Sequence, residues 1–432
     1  MPDLKKLVKN EYIFSVLAKF LTIAIGLVQS VLLARYLGSE LKGMYTYVSS
    51  ITSICSIVIT FGMHQAYPYL RKKYGKEAIY QDYFNLIYIL YAIYMIIALF
   101  LALFVFDNFE IQIATILIPL LGYSNIMGYA CLIETPNKRN ALWTVICFLE
   151  ILFIGGLMIF THRNMLWMVS ILLFVDTLRS VVFTATLHVP IRIHKGLFLM
   201  WKELMKIGFF PMLALLMTTL NYRIDVLILK SYPQITSSQL GVYSIGISLA
   251  DKIVLIPDTL KGILASKLSK GAEDSEVARV SRLCFWVSLG MCAAILLFGK
   301  WGVNFLYGSE YAGAYAVIAI SALGSVIIGY FKLISQYNII NKKQVNNVIM
   351  LSVSIAINVA LNLIFVPLWG INGSAFSTCI AHLVCGIVFV IYFSKKTKIK
   401  AREMIVLQTG DIKTLKNLLK FKKKIRGGQN GN

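Results

Sequence analysis

The chain has 432 residues, 58% of them hydrophobic and 14% charged, with a mean hydropathy of +0.73. No soluble domain of this length needs that composition. The formal net charge of +22 could suggest a nucleic-acid partner. The bases argue against one, because they sit in short loops between apolar stretches and in a tail from Lys395 onward, which is a pattern of membrane orientation.

Apolar stretches of the roughly 20 residues needed to cross a bilayer core recur along the chain. They predict about twelve transmembrane helices, at 11–36, 43–66, 82–106, 112–134, 141–161, 166–189, 204–231, 239–263, 280–304, 312–336, 346–366 and 371–393. The first follows Lys5, Lys6 and Lys9 and is too long for a cleaved signal core, so it is expected to be retained as its own insertion signal. With an even count, thirty-two bases fall on the side of the termini. Only Arg35, Lys42, Arg163, Lys230 and Lys300 fall on the other. That asymmetry places both termini in the cytoplasm. The outward loops are short and hold no catalytic domain. The seven cysteines all lie within apolar spans without a C-x-x-C pair, and the five histidines form no H-E-x-x-H cluster.

The pattern divides most naturally near residues 190–203, six spans on each side. The halves echo each other weakly. Gly43-Met44-Tyr45-Thr46 follows the first span, and Gly241-Val242-Tyr243-Ser244 follows the seventh. Repeats of this kind build transporters with a site between two lobes, although a shared loop composition gives the same match. In the tail, Ile412, Leu415, Leu418, Leu419 and Ile425 recur among lysines at helical spacing. This reads either as a basic amphipathic helix for an anionic leaflet or as a solvated tail.

Three segments carry a resemblance. They are Ala34-Arg35-Tyr36-Leu37-Gly38 through Gly43-Met44-Tyr45, Asn221-Tyr222-Arg223-Ile224-Asp225 with Leu240-Gly241-Val242-Tyr243, and Val366-Pro367-Leu368-Trp369-Gly370-Ile371-Asn372-Gly373-Ser374-Ala375. Together they resemble the Wzx-type polysaccharide flippases of the multidrug/oligosaccharidyl-lipid/polysaccharide (MOP) exporter superfamily. The resemblance implies an all-α membrane protein of two six-helix lobes forming a V-shaped cleft. The lobes would be 1–196 and 197–394, with 395–432 as a basic cytoplasmic tail. The implied task is moving a polyprenyl-pyrophosphate-linked oligosaccharide, a repeat unit of O-antigen, capsule or exopolysaccharide, from the inner to the outer leaflet of a bacterial cytoplasmic membrane. Expected partners are that lipid-linked oligosaccharide, anionic lipids at the tail and other glycan-assembly proteins. No cofactor and no metal is expected, and H+ or Na+ is the candidate coupling ion.

Such a task needs a polar path with fixed positive charge, because sugars and pyrophosphate are too costly to desolvate. Charges within spans are therefore candidates. The bases are Lys19, Arg179, Arg223, Lys252 and Lys332; the acids are Glu150, Asp176, Asp225 and Asp251. Lys19, Arg223 and Lys252 lie on the helices that line the cleft in the resembled fold, and they are expected to meet the pyrophosphate. Lys332 either guards the inner mouth or snorkels to the interface. Asp176 and Arg179, spaced i, i+3, are expected to pair structurally. Arg223 and Asp225, two apart, point to different faces, leaving Asp225 or Asp251 as an ion-coupling site or plain ion-pair partner. Pro211 and Pro257 are hinge candidates. Two alternatives remain. A multidrug cation antiporter of the same superfamily would favour an acidic lumen. A membrane glycan polymerase would need a large outward loop.

Overall fold

The computed structural model describes residues 11–189, 197–269, 271–408 and 411, with side chains described throughout except at 11–23, 78, 197–199, 263 and 266. Lys19 therefore has a described backbone only, and the amphipathic helix expected after residue 411 lies outside the described residues.

No strand occurs among the described residues. The α-helices are α1 (Glu11–Thr60), α2 (Met63–Tyr74), α3 (Lys76–Phe104), α4 (Phe109–Glu134), α5 (Pro136–Phe160), α6 (Met165–Leu187), α7 (Leu197–Ser231), α8 (Ser237–Ala250), α9 (Leu255–Ser269), α10 (Asp274–Tyr307), α11 (Ala314–Ile327), α12 (Gly329–Ile340) and α13 (Gln344–Thr397). Among the described residues, ten helical stretches are long and apolar enough to cross a membrane, and the protein is a multi-pass membrane protein. Two of the ten are double length. At 1.5 Å per residue, the 50 residues of α1 and the 54 of α13 would each run more than about 70 Å if straight, against a bilayer core of about 30 Å. Each is broken by a glycine with non-helical backbone, Gly38 (φ 70, ψ 175) and Gly370 (φ 56, ψ −131). Counting both sides of each break gives about twelve crossing segments among the described residues.

The second break folds α13 into an antiparallel hairpin. Ser354 Oγ donates to the Ala381 carbonyl at 3.0 Å, Asn358 Nδ2 to Thr378 Oγ1 at 3.3 Å, and Asn346 Nδ2 to Tyr392 Oη at 2.7 Å. These rungs tie the two arms at matching distances from the turn, and they satisfy polar groups that hydrocarbon could not.

Three expectations about continuity are corrected. The second span does not end in a loop at 66. The chain restarts after Phe61 and Gly62 as α2, which carries Arg71, Lys72 and Lys73. The eighth span is interrupted by a 3-10 turn at Asp251–Val254, and the tenth is broken at Ile328. Pro257 accounts for the first interruption. Without an N–H it cannot bond the Ile253 carbonyl, and the Leu255 N–H turns back to Lys252 instead.

Contacts divide the chain into two compact units, residues 1–244 with 302–313, and residues 245–301 with 314–432. Thus α7 and the first part of α8 pack with the first unit. At the core of that unit, Tyr67, Tyr83, Phe84 and Phe183 are fully buried. Beside them Glu134 takes Arg71, Lys76 and the Tyr67 hydroxyl, each at 2.7 Å. In the second unit, the first residues of the expected tail are packed down. Buried Arg282 holds Asp411 through Nε at 2.5 Å and Nη2 at 3.0 Å, and Trp286 Nε1 donates to the Ile405 carbonyl at 2.8 Å. The Arg282 bonds hold the Asp411 carboxyl below the usual aspartate range.

The Gly370 backbone lies where side chains are strained by roughly 1–3 kcal/mol. Gly370→Ala is expected to lower the thermal midpoint of the purified protein, whereas Trp369→Phe is not. Equal midpoints for both would show that the turn tolerates a side chain.

Candidate functional site

In the first unit, the second arm of α1 carries a hydroxyl residue at nearly every turn: Thr46, Ser49, Ser50, Ser53, Ser56 and Thr60. Each donates to a carbonyl three or four residues back, as Thr46 Oγ1 does to Lys42 at 2.8 Å and Ser50 Oγ to Thr46 at 2.7 Å. The donors are thus satisfied within the helix; Ser49 and Ser53 are half-buried, whereas Thr46, Ser50, Ser56 and Thr60 are buried. From Lys42 to Thr60 this polar face runs about 27 Å at 1.5 Å per residue, close to the thickness of the bilayer core.

Packed against this arm is α7. Its Leu215 and Thr219 line one cavity with Ser53, Ser56 and Thr60. Arg223, a further turn along the same stripe, comes near enough to Lys42 for their charges to repel. Lys42 Nζ sits 3.2 Å from Thr46 Oγ1 and 4.8 Å from the Tyr45 ring centre. Among the described residues, neither Lys42 nor Arg223 has a carboxylate at ion-pair distance. Two cations that repel each other therefore lie at one end of the hydroxyl track.

The close approach is made by glycines. A Cβ on Gly43 would collide with the Ser237 carbonyl oxygen, and one on Gly241 with that of Ser39. The two echoing G-x-Y segments are thus mutual contacts. Their tyrosines serve charges: Tyr45 lies under Lys42, and the Tyr243 hydroxyl donates to Asp225. Asp225 is 3% exposed and also accepts from the Val226 N–H at 2.9 Å. It is engaged on a different side of α7 from Arg223, as the two-residue spacing predicts.

Three other acids of this unit, which lie in or at the ends of its helices, are also engaged. Asp176 pairs with Arg179 at 3.2 Å and accepts from Ser124 Oγ at 3.3 Å. Glu150 is 4% exposed and bonded to Gln29. Lys230 pairs with Glu110 at 2.9 Å.

Beyond the Gly38 turn lies a second cluster. Arg35 donates from Nε to the Leu306 carbonyl and from Nη2 to that of Phe305, each at 2.6 Å. Tyr311 Oη donates to the Ala34 carbonyl at 3.0 Å. Ser39 gives both its N–H and its hydroxyl to Glu310 Oε1 at 2.8 Å, and its hydroxyl also meets that of Ser238 at 2.6 Å. The Ser39 N–H above all, then its hydroxyl and the Arg163 charge, hold the Glu310 carboxyl below the usual glutamate range against the opposing effect of burial.

In the second unit, Asp251 and Lys252 form the start of the 3-10 turn, and both are half-buried. One turn on, Asp258 binds Lys261 at 2.7 Å and Lys332 at 3.5 Å. Pro257 sits against Gly329, so the interruptions at Asp251–Val254 and Ile328 lie beside each other. Pro211, the other hinge candidate, lies within α7, whose helix runs on through it. Among the described residues, no group of three His, Cys, Asp or Glu side chains could hold a metal ion.

Two corrections to the sequence reading follow. Lys42 was counted as a loop base, but it is half-buried within α1 beside Arg223. The tally of in-span acids omitted Asp258, which neutralises Lys332. A basic residue four positions after the Gly38 turn and directly before G-x-Y was the available signal for Lys42.

Residues 32–316 match the family model described as polysaccharide biosynthesis protein. No curated protein sequence matches the chain. Among solved structures, the chain is similar to the lipid II flippase MurJ in an inward closed conformation, with TM-score 0.68 and 16% identity over 91% of this chain and 89% of that one. It is also similar to a multidrug resistance MATE family transporter of the MOP superfamily. The inward-facing form gives TM-score 0.60 and 13% identity over 87% and 94% of the two chains. The outward-facing form gives 0.59 and 13% over 91% and 96%. At these identities the likeness is one of fold.

If Asp176–Arg179 is structural, breaking it from one side should cost most. Arg179→Gln is expected to destabilise the protein by about 3 kcal/mol, and the double variant Asp176→Asn/Arg179→Gln by clearly less. Thermal unfolding of both variants checks this; equal losses would mean that the pair is not the reason for either charge.

Proposed function

Because the chain belongs to the polysaccharide biosynthesis protein family, we propose that it is a flippase carrying a polyprenyl-pyrophosphate-linked oligosaccharide from the inner to the outer leaflet by alternating access. The observation that carries this reading is the pair Lys42 and Arg223. They are neighbouring cations within helices of a membrane protein, without a carboxylate at ion-pair distance among the described residues, at one end of a hydroxyl track about as long as the bilayer core is thick. An intramembrane base is costly unless it meets a partner or a substrate. A pyrophosphate supplies two adjacent anionic groups, with bidentate geometry suited to Arg223 and a point charge suited to Lys42. Ser49 and Ser53, the half-buried members of the hydroxyl track, offer acceptors to sugar hydroxyls, and the polyprenyl chain stays in lipid. A known structure of similar fold is a lipid II flippase, which supports the same substrate class.

The multidrug cation antiporter is the poorer reading. A cationic drug needs an available carboxylate, yet Asp225, Asp176, Glu110 and Glu150 of the first unit are already bonded. The polymerase reading lacks an outward catalytic domain. In the flippase reading the lobes 1–196 and 197–394 are the moving bodies, and both termini lie in the cytoplasm. The contacts of Arg35, Ser39 and Gly43 with residues 237–241 and 305–311 serve as the outer gate. Asp251 would take the coupling H+ or Na+, since Asp225 is held by the Tyr243 hydroxyl and the Val226 N–H. Lys252, in the interrupted helix pair of the second unit, supplies a second anchor for phosphate as the gate changes state.

Charge reversal by Arg223→Asp or Lys252→Asp should abolish leaflet exchange of a labelled lipid-linked oligosaccharide in proteoliposomes while membrane insertion stays normal. Undiminished exchange in both variants would remove the phosphate-binding idea. The gate makes a separate prediction. Glu310 has a lowered pKa, so its contribution to closure is full above the ordinary glutamate value of about 4.3 and is lost as pH falls through the lowered one. Glu310→Gln should reproduce that loss at neutral pH. A cysteine placed at Ser238 should then react several-fold faster with a membrane-impermeant maleimide than in the parent protein.

A further inference from the structure

The hydroxyl track opens into a cavity of about 390 Å³ in the first unit, away from Lys42 and Arg223. This is within the range of small-molecule sites, roughly 300–1,000 Å³. Arg139 and Trp143 of α5, His64 of α2, and Asn125 and Tyr129 of α4 line it together with the α1 hydroxyls.

Arg139 is unusual in three ways. It lies in the first turn of α5, whose unpaired N–H groups favour anions and disfavour a cation. Its guanidinium lies 4.6 Å from the Trp143 ring centre, and Arg179 lies 4.2 Å from the same ring, so their charges repel. Arg179 is neutralised by Asp176, but among the described residues Arg139 is bonded only to the neutral Asn140 Oδ1 at 3.3 Å. Among the described residues its Nε is buried without a hydrogen-bond partner, and so is Nδ1 of His64. A like-charged neighbour, an anion-favouring helix end and two unused buried nitrogens all call for an oxyanion. The other walls suit a saccharide. Asn125 is exposed into the space, and half-buried Ser53 donates backwards to its own helix, leaving its lone pairs to accept from a sugar hydroxyl.

We infer that this cavity is a second substrate subsite, which recognises an oxyanion borne on a sugar, with Arg139 as its charged anchor. The inference rests on the flippase reading and adds to it a preference for acidic glycans. The oxyanion has two possible sources, a carboxylate on the sugar itself or the phosphate that joins the sugar to lipid.

The test uses the full-length protein in nanodiscs. Binding of glucuronate, of glucose 1-phosphate and of neutral glucose is measured by calorimetry on the parent protein, on Arg139→Gln and on Asn125→Asp. The last variant places a carboxylate in the cavity without disturbing packed side chains. Glucuronate or glucose 1-phosphate should bind at least roughly tenfold more tightly than glucose, the worth of one charge-assisted hydrogen bond. Both variants should lose that preference. A preference for glucuronate alone assigns a sugar carboxylate, and one for glucose 1-phosphate alone assigns the phosphate linkage. Equal affinity for glucose and both anions, or an unchanged preference in both variants, overturns the subsite. The flippase reading is judged separately, by exchange of a neutral lipid-linked oligosaccharide in the parent protein. Failure there sinks that reading whatever the cavity binds.

Discussion

Ion pairing in a medium that solvates charge poorly governs which parts of this chain are structural and which are available for work. Within the spans, a carboxylate or ammonium group must find a partner, water or a ligand, because the cost of leaving it bare is several kcal/mol. Most charges of the first unit find partners inside it. Asp176 has Arg179, Glu110 has Lys230, Glu134 has Arg71 and Lys76, and Asp225 has the Tyr243 hydroxyl. Once these are set aside, the positive charges left over are few and clustered. Lys42 and Arg223 stand together, and Arg139 stands at the mouth of the cavity. The proposed transport of anionic lipid-linked sugars would give such a remainder a purpose.

The hydroxyl track complements this. Serines and threonines that donate to their own helix carry no unsatisfied donor into the membrane, so the track is cheap to maintain when empty. Its half-buried members, Ser49 and Ser53, would still present oxygen acceptors to a sugar in the proposed function. Glycines at 43 and 241 let backbones approach within van der Waals contact, so the wall at that end is made of main chain. Beyond it, Arg35 and Glu310 bind carbonyl and N–H groups directly. Such contacts are made between groups that water can also satisfy, which suits a seal that must open and close.

The second unit differs in kind. Its helices α8–α9 and α11–α12 are interrupted side by side, at Asp251–Val254 and at Ile328. Interrupted helices free backbone groups within a span and allow bending there, and transporters use them near their sites. Lys252 lies in that interruption, and Lys332 is tied to Asp258 next to it. The second unit therefore combines a hinge-like element with charge, whereas the first combines an uninterrupted polar face with charge.

The chain itself determined the class of protein, the approximate positions of twelve crossings and the identity of several charges within them. Hydropathy is a property of consecutive residues, and a bilayer reads it directly, so no tertiary knowledge is needed for those conclusions. The i, i+3 spacing of Asp176 and Arg179 was legible for the same reason, as was the separation of Arg223 from Asp225. Folding alone decided which charges meet across helices. Nothing in sequence spacing brings Lys42 to Arg223, since 181 positions separate them. Neither does it tell that Asp258 would neutralise Lys332, or that Arg139, one base among many in a loop tally, would face a cavity. Those outcomes depend on helix rotation and on close packing at glycines, and both are set by the fit of whole helix surfaces against one another rather than by any local run of residues.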